Sequence, residues 1–258
     1  MTERFGVEGK TTIVTGASSG IGREVAEQFG SEGADVVVCS REQGNVDPVA
    51  DTINDREGGG RALAVECDVT DRDAVEALVD ATVGEFGGVD VLVNNAGASF
   101  MAPFEDISPN GWETIVDINL HGTFHCTQVA GERMREDGGG VVINVASVAG
   151  QRGSPHMSHY GAAKAGVINL TSTLAYEWAS EDVRVNCIAP GFVATPGVES
   201  QMGVSAENIE RGDVERRIGT TAEIADLAQF LASEASSYLV GETVTAAGVP
   251  RIEESPEI

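Results

Sequence analysis

The feature that most constrains this chain is an alternation. Short, continuous apolar runs take turns with longer segments whose apolar residues recur at helical spacing. The runs are TTIVT (Thr11 to Thr15), DVVVCS (Asp35 to Ser40), RALAVEC, VDVLVN (Val89 to Asn94), VVINVAS and VRVNCIA, with Glu242 to Ala246 closing the series. The first helical segment, GIGREVAEQFGSEG, carries Ile21, Val25 and Phe29 on one face and stops at Gly33. A second opens at Thr70, read as an N-cap with Asp73 three residues on, and presents Ala74, Leu78 and Val79. A long helix is expected from Pro109 to Glu136, another over HYGAAKAGVINLTSTLAYEWA, and a shorter one from Glu223 to Leu231. The stretch holding Pro48 and Gly58 to Gly60 reads as a polar segment.

Strands that are apolar throughout must be covered on both faces, which implies a parallel sheet. Right-handed crossovers then give an α/β doubly wound sheet of about seven strands with helices on both faces. At ~100–200 residues per domain, 258 residues with no linker and no internal repeat are expected to form one domain over 1–258. The weakly patterned segment 196–216 is expected to act as a substrate lid, and the acidic tail RIEESPEI to be loose.

Charge narrows the partners. Lys and Arg number 16 against 41 Asp and Glu, a net charge of −25. A phosphate backbone or an anionic membrane surface needs a basic footprint, so neither nucleic acid nor membrane is an expected partner. The acidic surface keeps a protein soluble, or suits a salty cytoplasm: near 1 M salt the Debye length is about 3 Å, and carboxylate repulsion is largely screened. No run reaches the ~20 apolar residues of a membrane span, and the start, MTERFGVEGK, lacks a signal-peptide core, so a cytoplasmic location is expected. Cys39, Cys67, Cys126 and Cys187 show no C-x-x-C spacing and are expected to be buried, reduced thiols.

TGASSGIG, Thr15 to Gly22, follows the first strand and opens the first helix. Its glycines allow a sharp turn and a close backbone approach, and the helix start offers free N–H groups and partial positive charge to a pyrophosphate. The spacing is G-x-x-x-G-x-G rather than the general dinucleotide fingerprint, but the strand–loop–helix context is that of a Rossmann-like nucleotide site. The second strand ends at Ser40 and Arg41, with no carboxylate to take a ribose 2′-hydroxyl. An arginine there suits a 2′-phosphate, so NADP(H) is favoured and NAD(H) remains open.

Tyr160 and Lys164 stand four apart in YGAAK, on one helix face. A free phenol titrates near ~10, and a nearby ammonium is expected to lower it toward neutral. TGASSGIG, NNAG (Asn94 to Gly97), Ser147 thirteen residues before Tyr160, YGAAK and Pro190–Gly191 occur in one order. This constellation resembles the short-chain dehydrogenase/reductase family, in its compact oxidoreductase branch, from about Lys10 to Gly248. The resemblance implies that Tyr160 is the acid in carbonyl reduction or the base in alcohol oxidation, and that Ser147 holds the substrate oxygen. It implies that Lys164 tunes the tyrosine and binds the nicotinamide ribose, and that Asn119, in DINLHGTF, holds a relay water. It gives Gly16, Ser18, Gly20, Ile21 and Gly22 to the phosphates, and Asp68 and Val69, in CDVT, to the adenine. Asn95, Ala96 and Gly97 would line the cofactor. Pro190, Gly191, Val193 and Thr195, in PGFVAT, would clamp the carboxamide. Two departures stand out: TAAGVP replaces a common Asp-Gly-Gly near the C-terminus, and Ser19 stands where many NADP-using relatives have a basic residue.

His121 and His125 are four apart, but no H-E-x-x-H accompanies them, so no metal is expected. His156, His159, Met157 and Phe192 are candidates for the substrate pocket or for loop anchors. The expected activity is hydride transfer between NADP(H) and a ketone or secondary alcohol, such as a 3-oxoacyl compound, sugar or polyol. The competing reading is a nucleotide-binding regulatory or scaffold protein that has lost catalysis. The resemblance also implies a homo-oligomer, a tetramer built through the two long central helices.

Overall fold

The computed structural model describes residues 3–203, 209, 210, 214 and 217–249. Seven parallel strands form one sheet: β1 (Thr11–Thr15), β2 (Asp35–Ser40), β3 (Ala62–Glu66), β4 (Val91–Asn94), β5 (Gly140–Val145), β6 (Val183–Pro190) and β7 (Thr243–Ala246). Their order is β3-β2-β1-β4-β5-β6-β7. Chain progression reverses between β1 and β4, and their carboxyl ends open a crevice there.

The continuous apolar runs are explained by the pleat. Neighbours in one strand point to opposite layers, and both layers are buried. Val14, Val36, Val93 and Ile143 join Val25, Phe29, Ile53 and Leu231 on one face. Ile13, Val37, Leu92 and Val142 join Leu78, Met134 and Trp178 on the other. All four cysteines are buried thiols. Among the described residues, no helix is long and apolar enough to cross a membrane.

Helix α1 (Gly20–Ser31) is set by Val25, Ala26 and Phe29 on its buried face. It ends in a reversed turn in which Gly33 N–H bonds Gly30 O and Ala34 N–H bonds Phe29 O, with Gly33 at φ +85°. The polar segment around Pro48 is in fact a helix, α2 (Gln43–Asn54). Its buried residues Val46, Val49, Ala50 and Ile53 hold helical spacing, and they outweigh the local penalty of Pro48.

Helix α3 (Arg72–Phe86) is capped by Asp71, which accepts from Asp73 N–H, and not by Thr70. Asp68 Oδ1 instead accepts from Thr70 N at 2.9 Å and Thr70 Oγ1 at 2.8 Å, closing a turn before the helix. The long helix expected from Pro109 to Glu136 is α4 (Pro109–Val116) and α5 (Gly122–Glu136), joined by a π turn at Asp117–His121. Next come α6 (Val148–Gln151), α7 (Ser158–Trp178), α8 (Pro196–Met202) and α9 (Thr221–Ala232). The expected lid at 196–216 falls partly outside the described residues, and the tail RIEESPEI, 251–258, wholly so.

Helix α9 opens with a capping box: Thr220 Oγ1 accepts from Glu223 N and Glu223 Oε2 accepts from Thr220 N. Arg217 donates to the same carboxylate at 2.6 and 2.9 Å. Hydrogen bonds from Arg217, joined by the Thr220 backbone, hold the Glu223 carboxyl down at about 2. A depressed carboxyl contributes stability above its unfolded pKa, lost as pH falls toward the folded one. The stability gap between wild type and Glu223→Gln, read by denaturant unfolding, is therefore expected to narrow as pH falls below the ordinary carboxylate range. A constant gap from neutral to acid pH would contradict this linkage.

Candidate active site

The crevice between β1 and β4 is built by backbone approach. Gly16 sits at φ +63°, and a Cβ there would stand 2.8 Å from Ala96 Cα. Only glycine fits that conformation and contact. Thr15 Oγ1 accepts from the N–H groups of Asn95 and Ala96, both at 3.0 Å. The Asn95 amide donates to the carbonyls of Thr15 at 3.0 Å and Gly16 at 3.1 Å. Asn95 therefore fixes the floor of the glycine loop with its side chain, a role the sequence did not assign.

Ser18 and Gly20 to Gly22 then turn the chain into α1. Ser19 is extended, gives no side-chain cap, and no acidic residue occupies the first turn. The helix N–H groups and their partial positive charge face the crevice uncompensated. Across it, Thr195 Cγ2 would lie 3.2 Å from a Cβ on Gly20. Thr195 also caps α8. Pro190 ends β6, Gly191 N–H bonds Ala246 O at 2.9 Å, and Val193 bridges Gly219. The structure thus brings Thr195 against the glycine loop, at the end of a segment that Gly191 ties to β7. A tight glycine cradle beneath an uncapped helix start fits a dinucleotide pyrophosphate.

Farther along the carboxyl edge, Arg41 is exposed and makes no hydrogen bond or ion pair with the described residues. Val69 is buried, and its carbonyl accepts from His125 Nδ1 at 3.1 Å. His121 pairs with Asp117 at 2.7 Å. The two histidines thus serve separate partners.

Ser147, Tyr160, Lys164 and Asn119 converge beyond the end of β5. Ser147 caps the single-turn α6, its Oγ accepting from Ala149 N at 3.1 Å. Tyr160 and Lys164 lie one turn apart on α7. Lys164 is only 3% exposed, and Nζ donates to Val145 O at 2.8 Å. Nζ lies 5.7 Å from the centre of the Tyr160 ring. Burial pushes the ammonium down to about 8, opposed by the nearby Cys187.

The tyrosine departs from expectation. Burial raises the phenol, and the Ser147 hydroxyl beside it opposes that rise without cancelling it. Lys164 was expected to lower it. In the protein alone that effect does not prevail, because desolvation penalises the phenolate and the ammonium alike.

Asn119 occupies the π turn and is fully buried. Its amide nitrogen donates to Ala98 O at 2.7 Å and Ile115 O at 2.8 Å. Its Oδ1 has no partner among the described residues. A Cβ on Gly97 would stand 2.8 Å from that oxygen and 3.6 Å from Lys164 Nζ. Gly97 therefore lies between the unpaired acceptor and the buried ammonium.

The loop leaving Gly97 is tied to the turn before Tyr160, with Ala102 N–H bonding His156 O at 3.0 Å. His156 is exposed at φ +65°, and Met157 is half-buried just ahead of α7. His159 does not line the opening. It is sealed beneath Phe100, ring centres 4.3 Å apart at 83°, and burial lowers its pKa. Phe192 is 62% exposed. Sequence reasoning missed Phe100, Met101 and Phe104, which are exposed on the Gly97–Asp106 loop. Apolar residues in a loop with neither helical nor strand periodicity were the available signal.

Comparison with known proteins agrees with this arrangement. A family profile described as short chain dehydrogenase matches residues 10–203. The 3-oxoacyl-acyl-carrier-protein reductase of Thermotoga maritima is 37% identical over 239 residues, covering 92% of this chain and 96% of that protein. The cis-4-hydroxycyclohexanecarboxylate dehydrogenase of Sinomonas cyclohexanicum is 40% identical over 241 residues, covering 93% and 95%. A 7α-hydroxysteroid dehydrogenase solved with NADH and 7-oxo glycochenodeoxycholic acid superposes with a TM-score of 0.87 at 32% identity, covering 98% of this chain and 99% of that one. The glycine cradle, the crevice at the strand-order reversal and these relatives lead to one conclusion: the chain belongs to the short-chain dehydrogenase/reductase family and is an NAD(P)-dependent oxidoreductase.

Proposed function

We propose that the enzyme interconverts a ketone and a secondary alcohol with Tyr160 as the proton-transferring group. The observation that carries this is the cluster itself: a phenol flanked by Ser147, with a buried Lys164 one turn away, beside a dinucleotide cradle. The nicotinamide, when bound, supplies or accepts the hydride. The protein orients the carbonyl and manages the proton. Ser147 donates to the carbonyl oxygen and stabilises the charge that develops there. Tyr160 delivers its proton to the same oxygen, or removes it in the reverse direction. Lys164 keeps positive charge behind the phenolate that remains. Asn119 Oδ1 accepts from a water shared with Lys164, through which the proton is replaced.

Gly16, Ser18, Gly20, Ile21 and Gly22 would hold the pyrophosphate, and Asp68 and Val69 the adenine. Ala96, Gly97, Pro190, Gly191, Val193 and Thr195 would enclose the nicotinamide half. Arg41 supports NADP(H), since an exposed guanidinium without a partner among the described residues suits a 2′-phosphate.

The loop carrying Phe100, Met101 and Phe104 starts beside Lys164 and is tied to His156. With Met157 and Phe192 it supports an alicyclic or otherwise apolar ketone over a polyol. The similarity to the hydroxycyclohexanecarboxylate and hydroxysteroid dehydrogenases supports the same choice. The net charge of −25 supports an enzyme adapted to concentrated salt, and the two long central helices support assembly as a homotetramer.

Tyr160→Phe is expected to lower kcat for an alicyclic ketone by about 10²- to 10⁴-fold while binary cofactor binding persists. Near wild-type turnover would remove Tyr160 from the mechanism. Arg41→Ala is expected to lower kcat/KM for NADPH by about tenfold or more and leave NADH nearly unchanged. Equal losses with both cofactors would contradict the 2′-phosphate assignment. The same assays in molar KCl are expected to retain or exceed the activity at about 0.1 M. A steep loss there would contradict salt adaptation.

A further inference from the structure

Ser147 and Tyr160 come from different elements, so something must set their separation. Ser147 is the cap of α6, and its Oγ is tied to Ala149 N at 3.1 Å. Its neighbour Gly150 closes the same turn, N–H to Ser147 O at 2.9 Å. Wherever α6 sits, the Ser147 hydroxyl goes with it. Tyr160 and Lys164 are likewise carried by α7.

The two helices meet backbone to backbone. A Cβ on Gly150 would lie 2.6 Å from Lys164 C, 2.7 Å from Ala165 N and 2.8 Å from Lys164 O. A Cβ on Gly161, beside Tyr160, would lie 2.9 Å from Ala149 O. Each glycine receives the main chain of the other helix, so no side chain at the contact can rotate away. A methyl group at either point must move α6 relative to α7.

We propose that Gly150 and Gly161 are positioning residues that fix the Ser147–Tyr160 distance by interlocking α6 with α7. This rests on the redox reading of the site for its catalytic consequence, though not for its geometry. A misplacement on the order of 1 Å at reacting groups costs roughly 10²-fold in rate. Gly166, also on α7, serves as contrast: the atoms nearest a Cβ there, from 3.1 Å, all belong to the Leu120 side chain and none to α6.

The test reads the Tyr160 phenol directly. The chain has three tyrosines, and Tyr176 and Tyr238 are exposed, so ¹³C-tyrosine NMR gives a short, assignable titration. Because Ser147 restrains the upward shift of Tyr160, Gly150→Ala and Gly161→Ala are each expected to raise its midpoint further, and so is Ser147→Ala. Adding Ser147→Ala to either glycine variant is expected to raise it little more, and Gly166→Ala to leave it at the wild-type value. With an alicyclic ketone, kcat is expected to fall about 10²-fold in each glycine variant. If Gly150→Ala does not fold, the milder Gly161→Ala decides. Folded glycine variants with a wild-type Tyr160 midpoint, or a full additive shift on removing Ser147, would overturn the proposal. If the midpoints move as expected but wild type turns over no carbonyl substrate, the redox reading fails and the interlock stands.

Discussion

Taking an ammonium out of water is among the most expensive things a fold can do, and it persists only where a partner receives the charge. Lys164 is almost fully buried, with Nζ on the Val145 carbonyl where β5 ends. That one bond ties α7 to the carboxyl edge of the sheet. It sets the height of Tyr160 one turn earlier, and it places the charge near Gly97 and the unpaired Asn119 oxygen. In a chain with only two lysines and 41 Asp and Glu, this cation is buried on a carbonyl and forms no ion pair with a described acidic side chain.

The rest of the architecture serves the edge on which that charge sits. Parallel strands place all their carboxyl ends on one side, and the order reversal at β1 and β4 opens the crevice there. Thr15 and Asn95 lock the two strand ends together and stretch the glycine loop across them. Below this, Asn94 donates to Thr127 and Asn144, and Asn144 donates to Thr171. The buried polar chain joins α5, β4, β5 and α7. Apart from Asn94 Oδ1, which has no partner among the described residues, these side chains pair with one another and tie in the helices next to Asn119 and bearing Lys164.

Much of this was legible in the residues. The apolar runs marked all seven strands, and YGAAK with Ser147 marked a cluster that the fold brings together. Pro48 hid α2, although Val46, Val49, Ala50 and Ile53 already carried helical spacing; tertiary burial outweighed one local breaker. The π turn at Asn119 was invisible because its widening shows only in the carbonyls that the side chain captures. Thr70 looked like a cap, but Asp68 engaged it first. The direction of the Tyr160 shift was misread because spacing reports the proximity of a charge and says nothing of the desolvation around it. For His159 the choice between pocket and loop anchor stayed open for a related reason: its neighbour Phe100 is distant in sequence.

The buried charge of Lys164 can be measured directly. With ¹³C-lysine labelling the protein gives two side-chain signals, and Lys10→Arg leaves one. The Lys164 signal is expected to titrate at about 8, because burial disfavours the ammonium. A midpoint at or above the ~10.4 of a free lysine would mean that the amine is solvated or ion-paired, and would contradict the account of the site built on it.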